Sequence, residues 1–192
     1  MIRRLNVPVP SETVLSEMSE RGRVLGMRTS KRSYELMRET YFDTPDGALR
    51  ARGLTLRLRS EARGRDFLDL TVKGSVSLQG VTEEVELLTP VVDGGLYATL
   101  QGQSEVASRV REVAQPDALR PLAAVDIDRE VRDLRPGLFG RPSHRLELDT
   151  LVVHVPGASR ALLAATITEI ARGRVTLETL GSRLREIGRA HV

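Results

Sequence analysis

Between Tyr41 and Arg59 the sequence reads YFDTPDGALRARGLTLRLR, and this stretch restricts the fold more than any other. An aromatic and β-branched run ends at Asp43-Thr44-Pro45-Asp46-Gly47, where the proline fixes φ and the glycine accepts a left-handed backbone. From Leu54 apolar and polar residues then alternate. Leu54, Leu56 and Leu58 point one way and Thr55, Arg57 and Arg59 the other, because side chains alternate across a pleated strand. The stretch predicts strand, turn, strand, with two guanidinium groups on one face.

The same period recurs along the chain. Residues 67–74 place Leu68, Leu70 and Val72 on one face and Asp69, Thr71 and Lys73 on the other. Residues 80–87 carry Thr82, Glu84 and Glu86 on one side, residues 122–134 alternate Asp126, Asp128 and Glu130 with Val125, Ile127 and Arg129, and residues 144–149 group Arg145, Glu147 and Asp149. Residues 1–9, 23–27, 34–43 and 162–172 complete the candidate strands. Helices are expected over 12–21, N-capped by Ser11 and stopped by Gly22, and over 94–101, 104–113 and 176–189. About eight strands with little helix between them suggest an antiparallel barrel, wide enough inside for side chains or one small ligand. Periodicity alone leaves open whether the charged face is the inner one.

Composition narrows the chemistry. With 192 residues, 40% of them hydrophobic, the chain suits a single domain over 1–192. Its 29 basic residues are 27 arginines and two lysines, but they are interleaved with 26 acidic ones, so nucleic acid is not the expected partner. The absence of cysteine excludes a thiol nucleophile, a disulfide scaffold and cysteine-based metal sites. His144, His154 and His191 lack metal-ligand spacing. The longest apolar run, 161–165, is far too short for a membrane span, and a cytoplasmic protein is the expectation.

The order YFDTPDxALRxRGxxLRLR resembles the second and third strands of the family named for class IV adenylate cyclase and thiamine triphosphatase (CYTH-like), also called triphosphate tunnel metalloenzymes. The resemblance implies an α+β fold, an antiparallel eight-stranded β-barrel with flanking helices whose charged faces turn inward to form a triphosphate tunnel. Thr71-Val72-Lys73-Gly74 matches the family's tunnel lysine. By resemblance, Arg57, Arg59, Lys73, Arg129 and Arg145 bind substrate, Lys73 and Glu147 are catalytic, and Glu84, Glu86, Asp149 and Glu169 hold Mg²⁺ or Mn²⁺. The implied reaction is metal-dependent hydrolysis of inorganic triphosphate or a small organic triphosphate, adenylate cyclase being the weaker possibility. The partner is then a triphosphate or polyphosphate ligand.

The chain also departs from that pattern. The family's Glu-x-Glu-x-Lys on the first strand is missing: Arg4 stands for the lysine, Ile2 for one glutamate, and the other falls before Met1. Ile127 takes the place of one of two basic residues. A late strand close to Glu-x-Glu-x-Glu is matched by Ala165, Ile167 and Glu169. These losses keep open a noncatalytic polyphosphate- or nucleotide-binding domain, and a purely structural module.

Overall fold

A computed structural model describes residues 1–62, 64–77, 80–137, 140–171 and 175–190, with side chains described up to residue 183. In chain order the elements are β1 (Ile2–Pro8), α1 (Glu12–Glu20), β2 (Arg23–Val24), β3 (Met27–Thr29), β4 (Ser33–Asp43), α2 (Ala48–Ala51), β5 (Leu54–Glu61), β6 (Asp66–Val76) and β7 (Val81–Pro90). There follow α3 (Gly95–Gln101), α4 (Glu105–Arg111), β8 (Arg120–Arg135), β9 (His144–Val155), β10 (Ala158–Glu169) and α5 (Leu177–Ala190). Eight strands close on themselves in the order β4-β5-β6-β7-β1-β10-β9-β8, and each neighbouring pair in the ring is antiparallel. Closure removes the open edges that a sheet would otherwise expose. The short β2–β3 hairpin is attached to β8 outside the ring.

The leucine faces point away from the barrel axis. Leu56, Leu68 and Leu70 pack with Leu49 of α2, Leu100 of α3 and Val106 and Val110 of α4. On the opposite flank Leu5, Val81, Leu146, Leu148 and Ile167 pack with Leu177 and Leu180 of α5, while Val14, Leu15 and Met18 of α1 join from the side. The hydrophobic cores thus lie between wall and helices, and the charged faces turn inward. Among the described residues no helix is long and apolar enough to cross a membrane.

The turn after β4 is more structured than its residue types suggest. Asp43 Oδ1 accepts from the backbone N–H groups of Thr44 and Leu49, each at 2.8 Å, and Thr44 Oγ1 accepts from Ala48 N at 2.8 Å. Gly47, at φ 74°, supplies the left-handed residue before α2. The aspartate and threonine therefore serve the first turn of a helix, satisfying its free N–H groups. Both are buried and neither lines the interior.

Three segments differ from expectation. Residues 23–27, expected as one strand, divide into the paired strands β2 and β3 around Leu25-Gly26. β9 runs six residues past Asp149, through Leu151-Val152-Val153, where the apolar–polar alternation stops. β10 lies at 158–169, starting earlier than expected and ending before the masked segment that contains Arg172. Residues 138 and 139, between β8 and β9 in the chain, lie outside the described residues.

Gly74 follows Lys73 where the β6–β7 register shifts. A Cβ there would sit 2.5 Å from the Glu83 carbonyl oxygen, a backbone atom that cannot swing aside. Gly74→Ala is expected to cost about 1–3 kcal/mol by overpacking, read as a lower melting temperature. An unchanged melting temperature would show that the two strands can part freely.

Candidate active site in the barrel interior

The inward faces enclose a cavity of about 1070 Å³. Its lining includes every sequence-predicted site residue: Arg57, Arg59, Lys73, Glu84, Glu86, Arg129, Arg145, Glu147, Asp149 and Glu169. They come from six different strands, and only the closed barrel brings them together. Arg4 and Asn6 of β1, Glu35, Glu39 and Tyr41 of β4, and Thr166 and Thr168 of β10 line it too.

Glu39 is the hub that the sequence reading missed. Strand pairing sets Glu39 opposite Arg59 and Tyr41 opposite Arg57. Glu39 accepts from Arg59 Nε at 3.0 Å, Arg57 Nη1 at 3.3 Å and the Tyr41 hydroxyl at 2.8 Å. Burial would raise its pKa, but the charges of Arg57 and Arg59 overcome that and hold it below the ordinary glutamate value. Burial, and then the Glu39 charge, push the Tyr41 phenol up to about 12. The signal was present as alternation in Glu35, Met37, Glu39 and Tyr41, facing the arginines of the next strand.

Beneath the arginines lies Asp69, which is fully buried. Its Oδ2 accepts from Arg57 Nε at 2.9 Å and Nη2 at 2.6 Å, and from Arg59 Nη2 at 3.1 Å. Burial raises Asp69 most, the neighbouring Glu86 raises it further, and Arg57 opposes both. Glu86 moves the other way: burial is outweighed by its contact with Asp69 and the charges of Arg4, Arg57 and Arg59. Asp69 is therefore the member of the pair favoured to keep a proton. Glu86 also accepts from Arg57 Nη2 and Arg4 Nη2, both at 2.9 Å.

On the far wall Arg129 donates from Nε and Nη2 to the two oxygens of Asp149, at 2.7 and 2.9 Å, a bidentate pair. Its Nη1 lies 3.1 Å from Glu147. Burial raises the Glu147 pKa more than Arg129 lowers it, so this carboxyl sits above the ordinary range. Lys73 and Arg145 are the exposed cations of the lining. Among the described residues Lys73 has no ion-pair partner, and Arg145 reaches only Asp133, at 3.8 Å.

The face expected for β10 needs correction. Ala165 and Ile167 are buried in the outer core, and Thr166 and Thr168 face the cavity instead. Glu169 reaches the lining at the strand's end, where it accepts from Arg3 Nη1 at 2.7 Å. Arg3 also pairs with Glu178 and so ties α5 to β1.

The residues present do not fit a resident divalent cation as they are placed. Magnesium and manganese want several oxygen donors around one point. Here Glu84 and Glu86 are drawn to Arg4, Asp149 to Arg129 and Glu169 to Arg3. Among the described residues no three His, Cys, Asp or Glu side chains converge as a metal set. Ile2 and Met1 add apolar surface where the first strand enters the lining.

The sequence matches the family model of the CYTH domain over residues 13–158. The chain belongs to the CYTH family. A search of curated proteins gives no matching sequence. Among solved structures, HpAC1 from Hippeastrum, a candidate adenylyl cyclase described as having a dominant triphosphatase activity, superposes with a TM-score of 0.62 at 17% identity. The superposition covers 100% of this chain and 86% of that one. A candidate adenylate cyclase from Bacillus halodurans gives 0.60 at 15% identity, over 99% and 91% of the two chains. A protein from Pyrococcus horikoshii gives 0.55 at 13%, over 99% and 89%. At such identities the likeness speaks for the CYTH fold alone.

Acid titration offers a check on this CYTH network. Because Glu39 is held below its unfolded value, its contribution to stability is full above about pH 4.5 and is lost as pH falls through the folded value. The melting-temperature advantage of wild type over Glu39→Gln should therefore shrink on acidification below pH 4.5. A constant difference from pH 7 to pH 3 would show that Glu39 is not held by the arginines.

Proposed function

We propose that this CYTH protein is a triphosphatase whose barrel interior holds a triphosphate chain. The observation carrying this reading is the convergence of Arg4, Arg57, Arg59, Lys73, Arg129 and Arg145 on one cavity. Closely spaced phosphate charges call for several charge-assisted donors at once. Arg59 commits Nε and Nη2 to carboxylates and, among the described residues, keeps Nη1 for a ligand. Lys73 offers an ammonium that no carboxylate among the described residues engages. In the reaction, a water oxygen bonds to the terminal phosphorus as the bridging P–O bond breaks, and the electron pair leaves with the diphosphate. Glu147, with its raised affinity for a proton, takes the water proton, and Lys73 offsets the charge on the phosphoryl oxygens.

Six basic and eight acidic side chains line the tunnel, so a triphosphate is attracted more strongly as its Mg²⁺ or Mn²⁺ complex, the ion arriving with the ligand rather than residing on these carboxylates. No step is routed through the ion, given the carboxylate arrangement. The triphosphatase activity described for HpAC1 supports the reaction class by analogy of fold. The test is phosphate release from tripolyphosphate with Mg²⁺ and then Mn²⁺, with Lys73→Ala controlling for contaminating phosphatase. Metal-dependent release lost in the variant is expected.

A second reading is favoured by one specific feature, the engagement of the carboxylates with arginines beside an Ile2 that offers no ligand. A noncatalytic tunnel would bind the phosphate chain without metal and release no phosphate.

A further inference from the structure

The wall formed by β8 and β9 differs in kind from the rest of the tunnel. Across that ladder Val125 faces Val153 and Ile127 faces Leu151, and the next inward pair is Arg129 with Asp149. All four aliphatic side chains line the cavity. They are not a plug of the outer cores, to which none of them belongs. On the other side of β8, Val125 is paired with Glu39, the residue that holds Arg57 and Arg59. Tyr41, two residues further along β4, also lines the tunnel. The aliphatic patch therefore abuts the arginine cluster along continuous strand pairing.

A bare inorganic triphosphate has no use for such a wall. Its oxygens would lose water against the wall and find no donor there. A triphosphate ester gains on both sides, its phosphates among the cations and its apolar group on the aliphatic surface. We propose that Val125, Ile127, Leu151 and Val153 form a subsite for the organic group of a triphosphate ester. The proposal rests on the reading that the tunnel holds a triphosphate chain, and it narrows the substrate class to organic triphosphates.

Methyl triphosphate and hexyl triphosphate separate the two ideas, because both carry the same phosphate chain with the same charge and the hexyl group tests apolar contact without base recognition. Each is titrated calorimetrically into wild type and into Leu151→Thr/Val153→Thr, a pair chosen to keep strand-forming residues, with the melting temperature checking the fold. Wild type is expected to bind the hexyl ester at least about tenfold tighter. The double variant is expected to lose about fivefold or more for the hexyl ester and less than twofold for the methyl ester. Equal affinity for the two ligands, or equal losses in the variant, would overturn the subsite while leaving the tunnel reading intact. If folded wild type binds neither, both fall. Should the double variant not fold, the wild-type preference and single Val153→Thr decide by the same criteria.

Discussion

Arg57→Ala should lower the melting temperature of this protein by about 10 °C, the largest stability effect expected of any single tunnel substitution. Arg57 is only 14% exposed and binds Glu39, Asp69 and Glu86 at once. Burial disfavours its charge, but Glu39 and then Asp69 raise its pKa above the ordinary arginine value. Removing the guanidinium leaves Glu39, Asp69 and Glu86 close together with only Arg59 and Arg4 to balance them. Stranding buried charge in this way costs about 3–5 kcal/mol, and for a chain of this size each kcal/mol shifts the melting temperature by about 2–4 °C. Arg145→Ala is the contrast: it is 49% exposed and pairs at 3.8 Å, so its effect should be close to nil. A drop of less than 2 °C in Arg57→Ala at pH 7 would show that the buried network does not hold the barrel together.

Lys73→Ala should do the opposite, leaving stability untouched while removing function. Lys73 is exposed at the cavity lining and, among the described residues, pairs with no carboxylate. Its truncation strands no partner and opens no core cavity. What is lost is a point charge available to a phosphoryl oxygen, and deleting one such donor typically costs about 10²–10³ in turnover. Phosphate release from tripolyphosphate should fall by that factor with a melting temperature within 1–2 °C of wild type. Full activity in Lys73→Ala would remove this residue from the site. Taken together, the two variants separate the arginines that build the tunnel from the lysine that awaits a ligand.

Much of this arrangement was legible in the sequence because strands encode their faces with a period of two. Once Arg57 and Arg59 share a face, the inward sides of β5, β6, β7 and the first half of β9 follow by the same count. Direction was not encoded. Leu56 and Arg57 alternate identically whether leucine or arginine faces the axis, and the helices that cover Leu56, Leu68 and Leu70 decide it. Asp43 read as a turn residue because its role depends on the N–H groups of Leu49 and Arg50, six and seven positions on. β10 was misjudged because Thr166 and Thr168 are inward without being charged, while the residues beside them, Ala165 and Ile167, fill the outer core. Leu151-Val152-Val153 hid the end of β9 for a related reason: both faces are apolar there, one on the tunnel and one outside. The engagement of the carboxylates was also out of reach, since alternation places an acid on the tunnel face but says nothing about which arginine claims it.

The most direct test of the central claim is a calorimetric titration of tripolyphosphate into wild type and Lys73→Ala, with and without Mg²⁺, at equal melting temperature. One saturable site per chain in wild type, weakened at least about tenfold by the substitution, is the predicted result. Binding that Lys73→Ala leaves unchanged, or no binding by folded wild type in either condition, would contradict the assignment of this tunnel to a phosphate chain.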